Sequence, residues 1–325
     1  MASLTEKVIR LGFRCLDRAS PEAAGRLAFS LFARTPSRKP QSPKEVAALA
    51  AAAPGMARAE MVRLAVPDGV VAAHVFAPKT EMVRRTVLMV HGYRSRAEYL
   101  LALAETLSTR GSRVVVLDLP GHGASTGRRL HLGMAVEAID AAWRQFGPFD
   151  AMVGHSFGGA SVLAAAAGAV ITVPARVPAR LVTIAAPSAL PELFDWFSRR
   201  VGLSRQARAA FEAEVLRFSG RPLSWFNAGD MLAGIDAETL VIHAPDDKEV
   251  SFRNAEALAG AGRRARLMRA DGFGHRRIVF AEPVLEAVGA FLAQDEAGQR
   301  PGTMSEPCEE AQPEDAAPQP ARRIA

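Results

Sequence analysis

The sequence predicts an α/β fold: a mostly parallel eight-stranded sheet, helices on both faces, and a small helical cap after the sixth strand. Three observations carry this. Short apolar runs alternate with segments of helical period from about residue 60 to 293, which places helices on both faces of a parallel sheet. The first two runs are parted only by Pro67-Asp68-Gly69, too short for a crossover, so they form an antiparallel hairpin. The alternation breaks once: between Ala186 and Asp236 no convincing strand occurs, and apolar residues recur there at helical spacing.

The elements follow in order. Residues 1–45 read as two basic helices and a linker. Leu4, Val8, Leu11 and Cys15, then Leu27, Phe29, Leu31 and Phe32, form imperfect stripes interrupted at Ser20-Pro21, and 35–44 is rich in Pro, Ser and Lys. Strands are expected at Met61–Val66, Val70–Phe76, Thr86–Val90, Arg113–Leu117, Ala151–Val153, Leu181–Ala185, Leu240–His243 and Arg266–Arg269. Helices are expected near 96–110, 132–146, 157–168, 252–260 and 283–293. The body thus spans 60–293, with the cap at 187–236. The cap carries Phe194, Trp196, Phe197, Phe211 and Phe218, an aromatic stripe better suited to packing than to a substrate surface. Residues 295–325 turn to Glu, Pro, Gln and Ala and are expected to be disordered.

Composition narrows the function. Apolar residues make up 49%, enough for a large core. Cys15 and Cys308 lie near opposite ends, which argues against a disulfide framework and points to a reducing, cytoplasmic setting. Charged residues interrupt every apolar stretch near the N-terminus, so no secretory leader is read. The net charge of +6 is uneven: residues 1–45 hold nine Lys/Arg against four acids, and 295–325 hold seven acids against three arginines. Nucleic acid is not an expected partner, because no aromatic platform is interleaved with the basic residues. Packing of the front helices on the body is the favoured reading. Peripheral contact of residues 1–40 with anionic lipid is the alternative. No metal-ligand cluster or cofactor motif is present.

The chemistry concentrates at Gly154-His155-Ser156-Phe157-Gly158. A short apolar run precedes it and a run of small residues follows, so this G-x-S-x-G sits at a strand-to-helix turn that presents a nucleophilic serine. Gly123-Ala124-Ser125-Thr126-Gly127 has the same pattern but lies in turn chemistry and leads into Arg128-Arg129. It reads as a decoy. A serine nucleophile needs a base and an orienting acid. Of the two downstream histidines, His243 ends an apolar strand and reads as a satisfied strand-end residue. His275 lies in a glycine-rich loop after the last strand and is the candidate base. Asp246 and Asp247 both follow the seventh strand and are both candidates for the acid. The oxyanion donors are expected at the backbone N–H of Phe157 and of Tyr93, with Gly92 allowing close approach of the loop.

Taken together, residues 60–293 resemble the α/β-hydrolase superfamily, in its bacterial esterase/lipase and serine-aminopeptidase-like branch. The resemblance rests on His91-Gly92-Tyr93, the segment Asp118–Ser125, Gly154–Gly159, the segment His243–Val250, and Gly274-His275. It implies an α/β-hydrolase fold with Ser156, Asp247 and His275 as triad, Asp247 rather than Asp246 holding the acid's position, and 118–125 as a structural turn. His91, His122 and His155 are expected to hold loops by hydrogen bonds; His74 and His131 carry no readable message. The expected activity is hydrolysis of a small-molecule carboxylic ester or thioester through an acyl-enzyme. The alternatives are acyl transfer or peptide cleavage on the same triad, or a non-catalytic binding protein on the same scaffold.

Overall fold

The computed structural model describes residues 4–294. Its eight strands are β1 (Glu60–Val66), β2 (Gly69–Phe76), β3 (Arg85–Val90), β4 (Ser112–Leu117), β5 (Ala151–His155), β6 (Arg180–Ile184), β7 (Glu238–His243) and β8 (Ala265–Arg269). They form one sheet in the order β1-β2-β4-β3-β5-β6-β7-β8. β1 and β2 pair antiparallel, with Val66 opposite Gly69 across the expected turn, and β2 pairs antiparallel with β4. All other pairings are parallel. The strands expected from apolar runs are all present, with ends shifted by a residue or two.

The helices are α1 (Leu4–Ala19), α2 (Pro21–Phe32), α3 (Pro43–Met56), α4 (Leu101–Thr109), α5 (Leu132–Phe146), α6 (Phe157–Ala166), α7 (Leu190–Val201), α8 (Arg205–Ser219), α9 (Ala228–Leu232), α10 (Arg253–Ala261), α11 (Gly274–Arg277) and α12 (Glu282–Ala293). Side chains of β3 alternate between the two faces, as strand geometry requires. Val87 and Met89 join α4 and α12 in one apolar cluster, while Leu88 and Val90 join α5 and α6 in the other. The central strands are therefore apolar on both faces and are held between two packed layers.

The cap comprises α7, α8 and α9 between β6 and β7. Phe194 and Phe211 are fully buried and stacked at 4.3 Å, so that part of the stripe is packing, whereas Trp196 is exposed. The two ends of the cap are clasped together. Ala189 and Asn227 form an isolated bridge, and the Leu190 N–H donates to the Phe226 carbonyl at 2.9 Å. Helix α2 lies directly on α8. A Cβ on Gly25 would fall 2.5 Å from that of Ala210, so only glycine permits this approach. Phe29 and Phe32 of α2 enter the cap's ring cluster. Asp17, in the last turn of α1, accepts from the Ser204 hydroxyl and amide, at the N-cap of α8. The outer side of these front helices leaves Val8, Leu11 and Leu27 exposed.

The linker expected over 35–44 ends at Ser42, whose hydroxyl caps α3 by accepting from the Glu45 N–H. Among the described residues no helix is long and apolar enough to cross a membrane. The expected disorder of 295–325 lies outside the described residues.

Candidate active site

β5 ends in a turn whose central residue, Ser156, has φ 52° and ψ −120°. Only Arg94 and Ala185 share a positive φ among the described non-glycine residues. Such a conformation costs about 1–2 kcal/mol, and flanking packing must hold it. The motif glycines provide that packing. A Cβ on Gly154 would lie 2.3 Å from the Gly158 carbonyl oxygen, and one on Gly158 would lie 2.2 Å from that of Val90. Strand and helix therefore pass at backbone contact, and the serine is lifted to the start of α6, half-buried. The N-terminus of α6 adds positive potential there.

The loop before α11 brings His275 to this serine. Its Nε2 lies 3.0 Å from Ser156 Oγ, and its Nδ1 lies 2.7 Å from Asp247 Oδ2. Asp247 follows β7 in a tight turn. Its Oδ1 accepts the N–H groups of Glu249 and Val250 at 2.7 and 2.9 Å. Its Oδ2 also faces His243 Nε2 at 3.3 Å. Burial pushes this carboxyl up, but the bonds from His243, His275 and the two amides outweigh it and hold it below the usual carboxylate range. An ionised carboxylate only accepts, so Nδ1 of His275 carries the hydrogen. In neutral imidazole that leaves the Nε2 lone pair facing the serine hydroxyl.

Asp246 takes a different direction. Its Oδ1 accepts the Gly272 N–H at 2.9 Å and so braces the loop that carries His275. His243 is fully buried; besides Asp247 it meets the Val250 carbonyl at 3.0 Å, and its Nδ1 has no partner among the described residues. The strand-end reading of His243 thus missed its contact with Asp247. No sequence signal shows it beyond the four-residue spacing to Asp247.

The His91–Arg94 loop closes on the other side. A Cβ on Gly92 would lie 3.0 Å from that of Ser156, which brings the following amides to the Ser156 turn. Neither the Tyr93 nor the Phe157 N–H hydrogen-bonds another group among the described residues. His91 orders the loop. Its Nε2 accepts the Leu119 N–H at 3.0 Å, so Nδ1 is the donor to the Gly92 carbonyl at 2.7 Å. His122 accepts the Arg94 N–H, and His155 donates from Nε2 to the His275 carbonyl at 2.9 Å. All three histidines hold loops, as expected. Burial lowers His122 and His155 to about 4, helped by neighbouring His91 and His275 respectively.

Ser125 belongs to another structure. It is fully buried, donates to the Asp118 carbonyl at 2.7 Å and accepts the Ala72 N–H at 2.9 Å. Asp118 itself is the centre of this turn. It accepts from His74 Nε2 and from the Ala97 and Ala124 amides. Burial opposes its charge, yet these bonds and His91 bring it down to about 2. His74 thus has a role the sequence did not show, and His131 caps α5 by accepting the Met134 N–H. Among the described residues no cluster of His, Cys, Asp or Glu could hold a metal.

No curated protein matches the chain by sequence. Solved structures do match in fold. The esterase domain of a Rhodothermus marinus protein is 24% identical, with 72% of this chain and 97% of that one covered and a TM-score of 0.52. Est1E from Butyrivibrio proteoclasticus is 20% identical over 71% and 97%, with a TM-score of 0.53. A thermophilic esterase from Thermogutta terrifontis is 17% identical over 72% and 98%, with a TM-score of 0.53. At these identities the likeness is one of fold. The sequence pattern of the alpha/beta hydrolase family matches residues 87–296, well over half of the chain. That span holds the strained serine turn, the acid turn after β7 and the histidine loop, and the chain belongs to the alpha/beta hydrolase family.

Proposed function

We propose that the protein is a serine hydrolase of the carboxylesterase/lipase type, cleaving a carboxylic ester or thioester through an acyl-enzyme. The observation that carries this reading is the unbroken line Asp247–His275–Ser156, with contacts of 2.7 and 3.0 Å. Ser156 Oγ attacks the acyl carbon as its proton passes to His275 Nε2. The imidazolium so formed is stabilised by Asp247, which stays ionised. The oxyanion is received by the N–H groups of Tyr93 and Phe157. His275 then returns the proton to the departing alkoxide or thiolate. In the second half, water gives its proton to His275 and attacks the acyl carbon; the intermediate collapses, His275 returns the proton to Ser156 Oγ, and the carboxylic acid leaves.

A fluorophosphonate probe tests the nucleophile directly. It should label the intact protein at Ser156, as read by peptide mass spectrometry, and Ser156→Ala should abolish both labelling and hydrolysis across a panel of neutral esters of graded acyl length. Labelling elsewhere, or hydrolysis that survives Ser156→Ala, would defeat the assignment.

A further inference from the structure

A cavity of about 290 Å³ lies between the segment that follows α2 and the turn that contains the decoy serine. It is lined by Arg34, Arg38, Lys39 and Arg128, with the hydroxyl residues Thr35 and Ser37 between them, and no acid is among its lining residues. The backbone builds this arrangement. The Thr35 N–H donates to the Arg128 carbonyl at 3.0 Å, the Leu130 N–H donates to the Ala33 carbonyl at 2.7 Å, and Arg34 forms a bridge with Arg129. Gly121 seals the joint, because a Cβ there would meet the Thr35 side chain at 2.7 Å. Arg38 is fixed by donating to the Ser125 carbonyl. None of the four cations pairs with a carboxylate among the described residues.

Several arginines of this protein meet carboxylates: Arg176 with Asp140, Arg180 with Glu238, Arg208 with Asp195 and Glu212. Here four exposed cationic residues line one cavity, and no carboxylate lines it with them. An anion entering the cavity would meet charged side chains of one sign. Guanidinium groups offer planar pairs of donors that match an oxyanion, and a lysine adds a point charge. Four positive charges suit a doubly charged group better than a single carboxylate.

We propose that this cavity is a binding site for a phosphate-class oxyanion. Its position gives the anion access to the reaction. The Tyr93 hydroxyl donates to the Arg34 carbonyl, so one tyrosine side chain separates the cavity wall from the amide assigned to the oxyanion. A phosphate on the alcohol or acyl part of an ester would be held here while its carbonyl lies at Ser156. That placement rests on the proposed hydrolase reading; the anion site itself does not.

The test uses the full chain and inorganic phosphate, read by thermal unfolding and calorimetry at constant ionic strength set with chloride. Wild-type protein should show a saturable rise in Tm with phosphate that chloride does not reproduce. Lys39→Ala/Arg128→Ala should need at least about tenfold more phosphate while keeping wild-type kcat/KM on neutral esters. A second arm compares a short-chain ester bearing a phosphomonoester with its neutral counterpart. If the anion is part of the substrate, the double variant loses about tenfold in kcat/KM on the charged ester alone. If it is a free anion, the variant treats both esters as wild type does, and only the Tm response is lost. Phosphate acting no differently from chloride on the wild type, or equally on both proteins, overturns the proposal. Loss of all ester hydrolysis with phosphate binding intact would instead count against the hydrolase reading.

Discussion

Two pentapeptides of this chain share the pattern G-x-S-x-G, and the fold treats their serines in opposite ways. Ser125 is sealed in, with its hydroxyl joining the Asp118 carbonyl to the β2 backbone. Ser156 stands half-open at a positive φ, with its hydroxyl against an imidazole. The glycines differ as well. In the first motif both Gly123 and Gly127 have positive φ, so the turn itself demands them. In the second, Gly154 and Gly158 are needed because backbone would collide with any side chain. The same five-letter pattern thus encodes a tight loop in one place and a strand–helix crossing in the other. What distinguishes them is the apolar strand before and the small-residue helix after.

The comparison breaks most sharply at the serines. Ser156→Ala should lower kcat on an activated ester by about 10⁴-fold or more, because the three groups act as a unit. Ser125→Ala should retain activity and lose about 1–3 kcal/mol of stability in urea titration, since it leaves the Ala72 N–H buried without a partner. Reversed outcomes would exchange the roles of the two motifs.

Asp247→Asn should cost on the order of 10⁴ in kcat by favouring the wrong tautomer of His275, whereas Asp246→Asn should cost at most about tenfold. Asp246 accepts the Gly272 N–H, whereas Asp247 accepts from the His275 ring. Single-turnover rates for the two variants would show which carboxylate orients the base.

The crossing glycine comes next. Gly158→Ala forces a Cβ against the Val90 carbonyl and shifts the serine turn, so a loss of at least about 10²-fold in kcat/KM is expected even where the protein folds. Circular dichroism on the same sample separates misfolding from misplacement.

Acid should unfold both regions together. Burial, helped by His91, Arg129 and His275 respectively, lowers His122, His131 and His155 to about 4. Unfolded histidine takes its proton near 6.5. Between these values the unfolded chain binds more protons, so stability is complete above about pH 6.5 and is lost as pH falls toward 4. Asp118, depressed to about 2, loses its contribution only as pH falls from about 3.8 toward that value, below the histidine window. The urea midpoint should therefore drop between pH 7 and pH 4.5; an unchanged midpoint would contradict neutral buried rings.

The smallest effect is expected at Gly127→Ala. A Cβ there meets nothing closer than 3.8 Å, so only the positive φ is strained. That should cost about 1–2 kcal/mol with kcat/KM unchanged.

Sequence legibility follows the same divide between local and distant physics. The sheet was readable because buried parallel strands are short apolar runs, and the cap was readable because it interrupts their rhythm. Ser156 and His275 announced themselves by local turn chemistry. α3 did not: its alanine-rich run has no clear stripe, carries Pro54 and buries only Gly55. The contacts of His74 with Asp118, of His155 with the His275 carbonyl, and of His243 with Asp247 join residues through the fold. The first two have no sequence period to betray them. The docking of Phe29 and Phe32 into the cap is likewise a long-range event that an imperfect stripe only hinted at.

The clasp between Ala189 and Asn227 has a consequence for how such a protein can be remade. Because the cap leaves and rejoins the sheet at one point, its interior can be replaced without altering the spacing of β6 and β7. It is not a free-standing cassette, however. Two phenylalanines of α2 lie among its rings, and Gly25 is fitted to the α8 backbone. A transplanted cap would strand those aromatic groups in water unless α2 travelled with it. The unit to exchange is therefore discontinuous in sequence: α2 and the stretch between β6 and β7 must vary as a pair.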